Sequence, residues 1–76
     1  MNKTTVMLGT INDVKNFVAT VSLCDYDVDL ISGRYAIDAK SIMGIFSLDL
    51  SKPIKLEAHT DDASEFFAKI KEYIVD

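Results

Sequence analysis

The sequence predicts an α+β fold, a two-layer open-faced sandwich in which a four-stranded antiparallel sheet carries helices on one face, in the order βαββαβα. Three observations point there. Residues 4–8, 25–32 and 54–59 alternate apolar and polar side chains, the period of strands that bury one face. Residues 11–23 and 62–74 instead repeat apolar side chains every three or four positions, the period of amphipathic helices. Each strand has a single apolar face, so the other side of the sheet is left to water.

In the first strand Val6 and Leu8 share one face, Thr5 and Met7 the other, and Gly9 ends it. Thr10, three residues before Asp13, is placed as a helix N-cap: its hydroxyl satisfies a free backbone N–H, and the acid suits the positive end of the helix. Ile11, Val14, Phe17, Val18 and Val21 form the stripe of that helix, opposite Asn12, Lys15, Asn16 and Thr20. Val28 and Leu30 then alternate with Asp27 and Asp29 in a half-buried strand with an acidic outer face. Ser32, Gly33 and Arg34 make a turn into a strand over residues 35–39, giving a hairpin. A short helix starts at Ser41, and Ser51, Lys52 and Pro53 break the chain before the next strand. There Ile54, Leu56 and Ala58 face one way and Lys55, Glu57 and His59 the other. Asp62 and Glu65 are spaced like a capping box for the last helix, whose stripe is Ala63, Phe66, Phe67, Ile70, Tyr73 and Ile74. Phe17, Val18, Leu30, Ile37, Leu56, Phe67 and Ile70 are expected to share one core.

Seventy-six residues make a single domain, 1–76. With 49% hydrophobic and 26% charged residues the composition is globular rather than disordered. A formal charge of -4 disfavours nucleic acid and anionic membrane as partners, since either needs a basic footprint. One cysteine, Cys24, makes no internal disulfide and holds no metal alone, and no run approaches the ~20 apolar residues of a membrane span. A cytoplasmic location follows as the expectation. Asp25, Asp27 and Asp29 alternate, but Leu30 and Ala36 stand where a calcium loop needs glycine and glutamate, so a solvated strand face is the reading. Cys24 has no cationic neighbour in sequence and reads as inert. No phosphate loop or nucleophilic triad is present, and neither a cofactor nor an enzymatic activity is expected.

The segment "AKSIMGIFSLDL" is unusually apolar for so short an exposed-looking helix. Ile42, Ile45 and Leu48 or Leu50 can supply a core face, which leaves Met43 and Phe46 outward because a helix of one or two turns cannot bury every side. Such side chains suit either a purely structural role or contact with a partner, methionine by its adaptability and phenylalanine by its area. Ser41 reads as an N-cap, with or without a further role as a phosphate acceptor.

That element order, together with "KSIMG" followed by "SL" (Lys40, Ser41, Ile42, Met43, Gly44, then Ser47 and Leu48), resembles the histidine-containing phosphocarrier (HPr) family of the bacterial sugar phosphotransferase system. The resemblance implies an HPr-like sandwich in which Ser41 is the site of a dedicated HPr kinase. It also implies that Lys40, Met43, Phe46 and Ser47 belong to a surface that docks phosphotransferase enzymes, the kinase or a transcriptional regulator. Phe46 and Asp49 depart from the family's usual sequence beside the serine.

The family's relay chemistry needs a loop between the first strand and first helix with a glycine, the acceptor histidine, an arginine and a proline. Here "GTINDVKN" has the glycine alone, and Asp13 would repel an incoming phosphate. A degenerate, non-relay member acting by binding is therefore expected. The alternatives are a carrier using another acceptor, or a dimerising small-ligand regulatory domain. His59, the single histidine, lies on a polar strand face, and the antiparallel arrangement sets it opposite the relay loop.

Overall fold

The computed structural model describes residues 2–75. The alternating segments become β1 (Lys3–Val6), β2 (Val28–Ser32), β3 (Tyr35–Asp38) and β4 (Ile54–Ala58). The apolar stripes become α1 (Ile11–Val21) and α3 (Ser64–Lys69), with a short α2 (Ile42–Phe46) between β3 and β4. All four strands form one antiparallel sheet in the order β1-β4-β2-β3. This is the predicted α+β sandwich.

Register follows the apolar pattern. Leu30 of β2 lies between Leu56 of β4 and Ile37 of β3, while Thr4 and Val6 of β1 oppose Leu56 and Ile54. The residues on that side, Val6, Leu30, Ile54, Leu56 and Ala58 among them, are buried against Val14, Phe17 and Val21 of α1 and Phe66, Phe67 and Ile70 near α3. Phe17 meets the Tyr73 ring edge-on at 6.2 Å between centroids. The opposite sheet face carries Lys3, Thr5, Asp29, Ile31, Ala36, Asp38, Lys55 and Glu57, and is open to solvent.

Most expected core members sit in this cluster, Val18 at its margin. Ile37 is only half-buried, because β3 is an edge strand and the single turn of α2 covers part of it. Ile11, expected in the α1 stripe, is 64% exposed: the first helical residue projects beyond the sheet that the stripe packs on. Asp25 and Asp27 precede β2 rather than lying in it, so only Asp29 of the three acids is a strand residue.

The C-terminal segment differs most. No Asp62–Glu65 capping box forms; the Asp62 carboxylate instead accepts the backbone N–H and hydroxyl of Ser64, and the helix starts there. It stops at Ile70, passes through a 3₁₀ turn (Lys71–Tyr73) and becomes extended, with Ile74 bridged to Val6. Met7 N–H donates to the Tyr73 carbonyl (2.8 Å) and Val75 N–H to that of Thr5 (3.0 Å). These bonds cover the outer edge of β1, and an exposed edge is what a sheet must protect. Among the described residues no helix is long and apolar enough to cross a membrane.

Candidate functional site

Ser41 caps α2 as its sequence suggests. Its backbone is extended (φ -99°, ψ 104°) and its Oγ accepts from Gly44 N–H at 3.2 Å. The entry is held further by Ser41 N–H on the Asp38 carbonyl (2.9 Å) and Lys40 N–H on the Asp38 carboxylate (2.9 Å). At the other end Ser47 donates its hydroxyl to the Gly44 carbonyl at 2.6 Å. Both serines are exposed.

Within the turn Ile45 is fully buried, and Ile42, Leu48 and Leu50 pack at the core margin. Met43 and Phe46 point away, 76% and 40% exposed. Gly44 is where α2 meets β3, because a Cβ there would come within 2.7 Å of Ile37 Cγ2. Lys40 differs from its neighbours. Its stem is half-buried and its Nζ donates to the Cys24 carbonyl (3.1 Å), tying the entry of α2 to the loop after α1. In the same loop, burial and a hydrogen bond with the Cys24 side chain push the Tyr26 hydroxyl up to about 12, so it stays protonated.

At the β1–α1 junction, residues 7–10 are Met, Leu, Gly and Thr. Thr10 (φ -133°, ψ 164°) caps α1, its Oγ1 accepting from Asp13 N–H at 3.0 Å. An extended hydroxyl cap and a first-turn carboxylate thus occupy the helix start, with no imidazole or guanidinium beside them in sequence to receive and steady a phosphoryl group.

His59 follows β4 at the far end of the sheet, where Ala58 N–H donates to the Asn2 carbonyl. Its backbone N–H bonds to Asp27 O (2.8 Å) and its Nε2 lies 2.8 Å from the Asp29 carboxylate. That hydrogen bond raises the imidazole pKa above 6.5; desolvation opposes it, and the charges of Asp29, Glu57 and Asp27 add to the rise. The Asp29 contact spans thirty residues of chain and was invisible to local pattern; only the β2–β4 register reveals it. Among the described residues no group of three or more His, Cys, Asp or Glu could hold a metal ion.

A small sandwich with sheet order β1-β4-β2-β3 and a serine-capped turn between β3 and β4 belongs to the HPr-like class of α+β folds. The family model described as "PTS HPr component phosphorylation site" matches residues 13–76, and the chain belongs to that family. The crystal structure of HPr-C-His from Thermoanaerobacter tengcongensis is similar, with 28% identity and a TM-score of 0.77 over 95% of this chain and 89% of that one. The phosphocarrier protein HPr from Bacillus anthracis str. Ames shares the fold, with 22% identity and a TM-score of 0.72 over 96% and 95% of the two chains. No curated protein matches. The family match begins at Asp13, in the first turn of α1.

Proposed function

We propose that this HPr-family chain is a non-relay member that works by binding proteins, with the outward side of α2 as its docking surface. Met43 and Phe46 supply the apolar contact, and Ser41 and Ser47 flank it; Lys40 lies at its rim and holds the turn in place. Its partners are proteins of the phosphotransferase system, HPr kinase or a transcriptional regulator, met in the cytoplasm. The observation that carries the reading is the β1–α1 junction, where a threonine-capped helix start stands in place of an acceptor histidine, arginine and proline.

Ser41 is the regulatory position. Phosphorylation would add about -1.5 to -2 of charge beside an apolar surface. The hydroxyl is exposed and lies at the edge of the fold, so the modification alters docking rather than folding.

The test is incubation with phosphoenolpyruvate and the first phosphotransferase enzyme, followed by mass measurement of the intact chain. No acid-labile phosphoryl group is expected. Stoichiometric label would overturn the reading, and its loss in His59→Ala would identify His59 as the acceptor of a true carrier. Partner capture with Phe46→Ala tests the docking half: loss of the phosphotransferase or regulator protein held by wild type is expected.

A further inference from the structure

One row of the open sheet face is charged on all four strands. Lys3 of β1 opposes Glu57 of β4, Glu57 opposes Asp29 of β2, and Asp29 opposes Asp38 of β3. Carboxylates set directly across from one another disfavour the sheet, so each of the three needs a donor of its own. Glu57 has the Lys3 ammonium at 4.0 Å, and Asp29 has His59 Nε2 at 2.8 Å. Asp38 has no ion pair among the described residues. Its carboxylate instead accepts the Lys40 N–H at 2.9 Å, and its carbonyl accepts the Ser41 N–H at 2.9 Å. The last acid of the row is therefore the anchor of the entry to α2.

Of the three donors only His59 changes charge near neutral pH. The groups that face it are Asp29 of β2, Asp27 just before that strand, and Glu57 of its own strand. Lys3 of β1 stands behind Glu57, and Asp38 of β3 stands behind Asp29.

We infer that His59 is a proton sensor for the entry of α2: when it loses its proton, the Asp29 charge faces Asp38 unrelieved and drives the Asp38 carboxylate onto the Lys40 N–H. The direction follows from the backbone. Ala39 turns its N–H to Val28 O of β2 at 2.8 Å, and alternation turns the next N–H, that of Lys40, outward. A carboxylate repelled by Asp29 moves toward that N–H. With His59 protonated the repulsion is offset, and the bond to Lys40 is made less of the time. Ser41 and the outward side chains of α2 are accordingly held better above the imidazole pKa than below it. The His59–Asp29 pair itself has the opposite dependence, since its stabilisation fades as pH rises. Local order at α2 and global stability thus separate in a single titration. The consequence for docking rests on the role proposed for α2, whereas the sensor does not.

The test is an NMR titration of the full chain from about pH 5.5 to 8.5. The Lys40 amide proton should move downfield as pH rises, with the same midpoint as the His59 ring. It should hold still in His59→Gln, and in Asp29→Asn the ring should titrate without it. Partner capture by wild type should rise about two- to threefold across the range, the size expected of an exposed charge pair, relative to His59→Gln. A Lys40 amide that stays fixed in wild type, follows another midpoint, or still moves in either folded variant would overturn the sensor. Capture that Phe46→Ala abolishes, but that varies equally with pH in wild type and His59→Gln, would overturn the regulation and leave α2 as the docking surface.

Discussion

Gly44 lies so close to Ile37 that a Cβ on the glycine would stand 2.7 Å from Ile37 Cγ2. Alanine in a helix interior normally gains about 1 kcal/mol over glycine. Here the obstructing atom is a stiff β-branched methyl, so overpacking of about 1–3 kcal/mol outweighs that gain. Gly44→Ala should lower the thermal midpoint, and adding Ile37→Ala should recover part of the loss. A Gly44→Ala protein more stable than wild type would show that α2 does not sit against β3 as described.

Ser41 links the cap to the proposed docking surface. Ser41→Ala removes the acceptor of Gly44 N–H and should cost about 1 kcal/mol in denaturant unfolding. Ser41→Asp keeps an acceptor there and should leave the midpoint near wild type while changing partner capture. An unfolded Ser41→Asp protein, or unchanged capture, would count against the regulatory role.

Phe17 is fully buried and packs edge-on to Tyr73, joining α1 to the C-terminal segment. Phe17→Ala should cost about 3–5 kcal/mol, a large share of the stability of so small a domain. Thermal melting followed by circular dichroism measures it; retention of a wild-type transition would place Phe17 outside the core.

The His59–Asp29 pair makes stability depend on pH in a stated direction. The folded imidazole binds its proton more tightly than the ordinary value of 6.5, chiefly through its hydrogen bond to Asp29. The stabilisation is therefore complete below that value and fades as pH rises through the folded pKa. The midpoint difference between wild type and Asp29→Asn should be largest in mild acid and shrink above neutrality. An NMR titration of His59 should read above 6.5 in wild type and lower in the variant.

The layers and register were legible because they are written in short repeats. Ile54, Leu56 and Ala58 alternate without interruption, and Thr10 and Ser41 carry caps that need only the next three residues. The end of α3 was not legible. Its stripe runs on through Tyr73 and Ile74 at helical spacing, yet the edge of β1 requires extended partners, and that distant pairing overrides local preference. The candidate site divides the same way. Met43 and Phe46 fall outward by helical periodicity, whereas the ties of Lys40 to Cys24 and of His59 to Asp29 depend on segments sixteen and thirty residues away.

The sheet order has a consequence for synthesis on the ribosome. β1 is made first, yet it pairs only with β4 and with the segment around Ile74. Residues 3–6 consequently wait without a ladder while the following fifty are polymerised and threaded through the exit tunnel. The β2–β3 hairpin can close as soon as it emerges, since its loop is two residues long. The nascent chain thus holds a formed hairpin and a bare leading strand until β4 has emerged to join them. Loop-closure entropy makes that late, non-local step the slow one.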